Sequence, residues 1–309
     1  MSEYSMQSQL QNTQFYPEVQ TTYHTILEKV EELYLKFIPD TIRLRRNINQ
    51  QKQADTVIIS KIIFGLMIGF PSQSGTYRAI CAFLYPSSAF PSRTMYSRFC
   101  GGLKTALKII RYEYVNSLDN KARYAVIDSF PCPLCATIRN RRAKLFSEIA
   151  NIGYNATKDL YYYGFKISLS VDSKGFPIAY EVTSASIHDV NMAYDLVEQA
   201  PNKQILADKG CVSTKLKQAC HAIGVDLWTP SKKNQKANDT IDNSLLRKFR
   251  KKVETVISSL SLIGVQNFKN RSLAGFEARL EAILLTYSFM LKKAQVSVSG
   301  TLRYSLGRF

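Results

Sequence analysis

The sequence predicts a mixed α/β domain preceded by a mostly helical region, and three observations carry that expectation. Short β-rich apolar runs end in a carboxylate at Val126-Ile-Asp128 and at Ile205-Leu-Ala-Asp208. Two longer β-rich runs, 161–171 and 176–183, flank the turn residues Asp172-Ser-Lys-Gly175, which is the pattern of a hairpin. Beyond them, helical periodicity alternates with short apolar runs, as expected of parallel strands joined by crossover helices.

A chain of 309 residues is long enough for about two domains. We expect a helical, DNA-binding N-terminal region over 1–120, the α/β domain over 121–294 and a tail over 295–309, which lacks periodicity. Residues 19–37 place Tyr23, Ile26, Leu27, Val30, Leu33, Tyr34 and Phe37 near helical spacing, and Pro39 follows as a stop. Arg43, Arg45 and Arg46 form a small basic cluster. The apolar run 57–70 is shorter than the roughly 20 residues of a membrane span and contains Lys61, so it reads as a buried helix. Further helices are expected over 74–84 and 92–118, the latter broken at Gly101-Gly102. Short helices with interleaved Arg and Lys suit a helix-turn-helix reader of DNA, and equally a small helical bundle.

In the α/β region, Phe130-Pro131 is expected to stop the first strand, leaving Asp128 near its C-terminal end. Arg139-Asn-Arg-Arg-Ala-Lys144 is a dense basic segment, either a solvated rim or a phosphate contact. Helices are expected over 188–199, 215–223, 244–263 and 276–292, with strands at 204–208 and 225–229 and a polar, basic loop over 231–243. Antiparallel strands first, then parallel strands with crossover helices, is the order of a ribonuclease H-like fold.

The chain carries 41 Lys and Arg against 24 Asp and Glu, a formal charge of +17. That excess points to a polyanion, with nucleic acid ahead of an acidic membrane surface. The first residues show no secretory signal or lipidation motif. The six cysteines are expected to be reduced. Cys132 and Cys135 have the spacing of half a zinc site without a second half, so they read as small apolar residues near a strand end.

In so basic a chain, Asp128 and Asp208 at the ends of neighbouring strands repel unless a cation lies between them. A third acid is expected from the helix beginning at Ser244, whose polar stripe carries Arg247, Arg250 and Glu254 beside its apolar face. Hard carboxylate oxygens suit Mg²⁺ or Mn²⁺, and two acids on strands with one on a helix fit two-metal phosphoryl transfer on nucleic acid. Each acid also has a plain structural reading: Asp208 as a cap, Asp128 as a turn residue, Glu254 as a partner of Arg250. Among other acids, Asp172 is explained by the hairpin turn, Glu277 and Glu281 by exposed helix positions, and Asp189 first by the dipole at a helix start, with an acid–base pair with His188 or a part in shaping the site as its alternatives.

Ile127-Asp-Ser-Phe-Pro131, Gly153-Tyr154, Tyr162-Tyr-Gly-Phe-Lys166, Leu206-Ala-Asp-Lys-Gly210 and Arg250-Lys-Lys-Val-Glu-Thr255 together resemble the DDE transposases of bacterial insertion sequences, most closely the insertion sequence 982 family. The resemblance covers about residues 90–293. It implies a ribonuclease H-like core, the metal-binding triad Asp128, Asp208 and Glu254, and two Mg²⁺ or Mn²⁺ ions. Of the related pattern Tyr-x2-Arg-x3-Glu-x6-Lys, Arg250 and Glu254 are kept, whereas Arg247 and Ser261 stand at the Tyr and Lys positions.

The expected protein is thus a transposase of the bacterial cytoplasm and nucleoid. Its expected partner is double-stranded DNA, both terminal inverted repeats and target, bound by a homodimer on paired ends. The expected DNA contacts are Arg139, Arg141, Arg142, Lys144, Lys209, Lys232, Lys233, Lys236, Arg247 and Arg250. The alternatives are a relative that binds DNA without catalysis, acting as a repressor, and a nuclease that cuts without joining.

Overall fold

The computed structural model describes residues 17–70, 72–84, 90–118, 124–156, 158–199, 202–208, 210, 213–230, 243–266 and 268–296. Its contacts divide the chain into two compact units, with boundaries at Tyr114/Val115 and Ser261/Leu262.

The first unit is helical: α1 (Pro17–Phe37), α2 (Asp55–Met67), α3 (Gln73–Phe83), α4 (Arg93–Gly102), α5 (Lys104–Ser117) and the C-terminal α9 (Leu273–Val296). Helix α2 is strongly apolar and buried throughout from Ile58 to Met67, so it can only be stable surrounded, and it packs against α1, α3, α4 and α9. Ser72 and Ser92 cap α3 and α4 by accepting from the backbone N–H three residues on, and Leu103 separates α4 from α5 where the double glycine predicted a break. In the basic cluster, Arg45 pairs with buried Asp55, whose carboxylate also accepts from Tyr34 at 2.8 Å and Gln51 at 2.9 Å, while Arg43 pairs with Asp40. Arg45 is therefore a structural residue.

The second unit holds the sheet: β1 (Ala125–Pro133), β2 (Asn151–Asn155), β3 (Leu160–Asp172), β4 (Pro177–Ser184), β5 (Gln204–Ala207) and β6 (Asp226–Trp228), with α6 (Asp189–Gln199), α7 (Thr214–Ala222) and most of α8 (Asn243–Ile263). The order is β2-β3-β1-β5-β6, with β4 also on β3. Pairs β1/β3, β3/β4 and β2/β3 are antiparallel; β1/β5 and β5/β6 are parallel. This is the predicted ribonuclease H-like mixed sheet, preceded by a helical N-terminal region. The core between sheet and helices takes Ile127, Leu196, Val197, Ile205, Leu216 and Leu227.

Three expectations are corrected. β1 does not stop at Phe130-Pro131 but continues to Pro133. The N–H of Leu134 donates to the Tyr163 carbonyl across β3, so alternation turns the nitrogens of Pro131 and Pro133 to the other edge, where β5 pairs no further than Ile127. Neither proline removes a ladder bond there. Strand β2 was not predicted as a strand. It is short, holds only Ile152 and Tyr154 as strand formers, and pairs with β3 where Gly153 passes so near Ala185 that a Cβ would lie 2.1 Å from its carbonyl oxygen. Glu281, expected to be exposed, is 1% exposed, because Arg111 of α5 meets it at 2.6 Å inside the helical unit.

Candidate active site

The parallel register of β1 and β5 pairs Ile127 with Ala207 as its last step. Asp128 and Asp208 are each the next residue, so both carboxylates leave the sheet at one place. Helix α8 brings the third. Val253, Val256 and Leu260 bury its apolar face, Phe249 stacks on Tyr124 at the start of β1 with centroids 4.2 Å apart, and the Lys252 ammonium donates to the Ser173 carbonyl. These contacts turn Arg250 and Glu254 towards the two aspartates.

Arg250, Asp208 and Glu254 all lie near enough to Asp128 to act on its charge. Burial pushes the Asp128 carboxyl up to about 6; the Ser129 N–H and the Arg250 charge hold it down, and Asp208 and Glu254 push it up. The Ser129 N–H donates to Asp128 Oδ1 at 2.8 Å, and Arg250 Nη1 lies 3.0 Å from Asp208 Oδ1. Arg250 thus serves Asp208, where the plain reading had expected a helix pair with Glu254. Glu254 itself is exposed. Among the described residues, no three His, Cys, Asp or Glu side chains converge as a ready metal-ligand cluster.

A second polar group, which sequence reasoning did not assemble, stands behind Asp128. Asp189 Oδ1 accepts from Ser129 Oγ at 3.0 Å and meets Lys166 Nζ at 3.1 Å, while Lys166 also donates to the Ile187 carbonyl at 2.7 Å. Gly210 admits the other Asp189 oxygen, which a Cβ there would approach to 2.9 Å. One carboxylate therefore touches the residue after Asp128 and the segment after Asp208. The available signal was Lys166, a cation inside the apolar run 161–171 that had to find a partner when half-buried.

The basic candidates divide. Arg139, Arg141, Arg142 and Lys144 are exposed, the first three on a 3-10 turn (Thr137–Arg142). Lys209, Lys232, Lys233 and Lys236 lie outside the described residues; Arg247 falls within α8. Cys132 is buried and its thiol pushed up to about 12, and burial also raises that of half-buried Cys135. Asp172 accepts from the N–H groups of Lys174 and Phe176, both at 2.8 Å, as its turn reading requires. No described helix is long and apolar enough to cross a membrane.

No curated protein matches this chain. Among solved structures, it is similar to the piggyBac transposase in a synaptic complex with hairpin DNA, with a TM-score of 0.45 and 10% identity over 89% of this chain and 76% of that one. The stretch that carries Asp128, Asp208, Arg250 and Glu254, residues 119–272, matches the family model described as the transposase DDE domain.

Proposed function

We propose that this protein is a DNA transposase, most like those of the insertion sequence 982 family. It binds the terminal inverted repeats of its element as a homodimer, cleaves a phosphodiester at the element end and joins the freed 3′-hydroxyl to target DNA. The observation that carries this reading is the β1/β5 register, which sets Asp128 beside Asp208 inside the region matching the transposase DDE domain. The helical unit would contribute to holding the DNA, as would Arg139, Arg141, Arg142, Lys144 and the basic residues outside the described segments.

By the chemistry of its donors, though not as a preformed cluster, the set suits a hard divalent cation. Asp128 is a half-buried carboxylate whose proton affinity is raised in part by two negative neighbours, which is the environment a dication relieves. Asp128, Asp208 and Glu254 would hold Mg²⁺ or Mn²⁺. Bound there, the metal would supply Lewis acidity to the reacting phosphodiester. Arg250 offers a fixed positive charge to the same phosphate, and Asp189 holds the segments carrying both aspartates in register.

The test uses a duplex ending in the element's own terminus, taken from the DNA that flanks the coding region. The native chain is expected to nick it in Mg²⁺ and to join the product to a second duplex, and Glu254→Gln to bind it without nicking. Binding without nicking by the native chain would make it a non-catalytic binder; nicking without joining would make it a nuclease. Asp189→Asn is expected to slow single-turnover nicking about 10- to 100-fold, as for residues that orient metal ligands, with DNA affinity unchanged.

A further inference from the structure

The basic segment does more than add charge to the surface. It borders a cavity of about 250 Å³, lined by Arg139, Arg142 and Lys144 together with Leu134, Leu145 and Tyr163. Both walls are tied to β3. Asn140 donates to the Tyr161 carbonyl at 2.8 Å and accepts from the Tyr163 N–H at 3.1 Å, while the Tyr163 hydroxyl donates to the Leu145 carbonyl at 2.9 Å. Tyr161 is two residues from Tyr163 and so shares its sheet face. Tyr154 of the edge strand β2 lies directly opposite Tyr161, ring centroids 5.1 Å apart, and the two are 49% and 62% exposed. The Tyr154 hydroxyl is held by Asp159. Ile138, on the 3-10 turn itself, is 91% exposed.

We propose that this face is a platform for unpaired nucleotides of a DNA strand, one base entering the cavity and its neighbours stacking on Tyr154 and Tyr161. The cavity is smaller than the roughly 300–1,000 Å³ of a drug-sized pocket, which suits one planar base and excludes a duplex. Apolar walls receive a base, exposed aromatic rings stack on any base, and the lining cations meet the phosphates that follow it. A duplex buries its base faces and could use only the cations. The inference rests on the reading of the protein as acting on DNA, and specifies which form of DNA this face takes.

The test is equilibrium binding of the full chain in EDTA, so that it succeeds or fails independently of nicking. A labelled mixed-sequence single strand and the blunt duplex of the same sequence are compared by fluorescence anisotropy. Tyr161→Ala is expected to weaken single-strand binding about 5- to 10-fold, the lower part of the range for one stacked base, and to leave the duplex unchanged. Ala143→Trp, which fills the cavity and keeps every charge, is expected to do the same; Arg142→Ala should weaken both. Cys135 lines the cavity, so the single strand, and not the duplex, should slow its alkylation by N-ethylmaleimide, read by peptide mass spectrometry. Equal losses on both DNAs, or no loss in Tyr161→Ala and Ala143→Trp, would overturn the proposal. So would protection of Cys135 by free dAMP as complete as that by the strand at equal nucleotide concentration, which would mark a mononucleotide site.

Discussion

Replacing Asp128 by asparagine is expected to abolish DNA strand cleavage while making the protein more stable. On the proposed function, the loss follows from removing a carboxylate that would hold the divalent metal, a contribution of several kcal/mol and so on the order of 10³-fold in rate. The gain follows from burial. Asp128 has its carboxyl at about 6 against an ordinary 3.8, so the folded chain binds a proton more tightly than the unfolded one. Its ionisation therefore costs nothing below about pH 4, costs progressively more between about pH 4 and 6, and is a full burden above. Two pK units correspond to about 3 kcal/mol as an upper bound. At pH 8, Asp128→Asn is expected to raise Tm by roughly 5 °C, with the difference vanishing near pH 4. Mg²⁺ at a hundred times its Kd should stabilise the native chain by about 2.7 kcal/mol and the variant by much less. Calorimetry at the two pH values, with and without Mg²⁺, measures all three. If the variant were less stable than the native chain at pH 8, Asp128 would be a structural residue.

Breaking the Arg111–Glu281 pair is expected to have the largest effect on stability. Both side chains are almost fully buried, at 4% and 1% exposure, and meet at 2.6 Å. Glu281→Leu would leave the Arg111 guanidinium buried without its counter-charge, a cost of about 3–5 kcal/mol. The double variant Arg111→Met/Glu281→Leu removes both charges and should recover most of that loss, because an apolar pair of similar volume replaces a buried ion pair nearly neutrally. Urea unfolding of the two variants against the native chain decides it. A double variant as unstable as the single one would show that these side chains serve neighbours other than each other.

The catalytic candidates were legible because strand chemistry is local. β-branched residues before Asp128 and Asp208 announced two buried strands, each with an acid beyond its last apolar position, and the 3.6-residue period of α8 put Arg250 and Glu254 on one side. The polar group around Asp189 was not legible in the same way. Ser129, Lys166 and Asp189 are each unremarkable in sequence, and only the β1/β3 pairing and the start of α6 bring them within hydrogen-bond distance. Strand β2 was missed for a related reason, since Ile152 and Tyr154 are too few strand formers among Asn and Gly to announce a strand, and it is the close approach of Gly153 to Ala185 that only the fold reveals.

By itself, then, the sequence determined most of the elements, the mixed α/β class, the basic character and the residues with an acid's chemistry to offer, because propensity, periodicity and charge are properties of neighbouring residues. The tertiary structure alone decided the partners. It gave Arg250 to Asp208 and not to Glu254, took Arg45 out of the exposed basic cluster to neutralise Asp55, and grouped α9 with the N-terminal helices through Arg111 and Glu281. Burial drives the last two choices: a charge withdrawn from water takes the nearest opposite charge in space, however far apart the two lie along the chain.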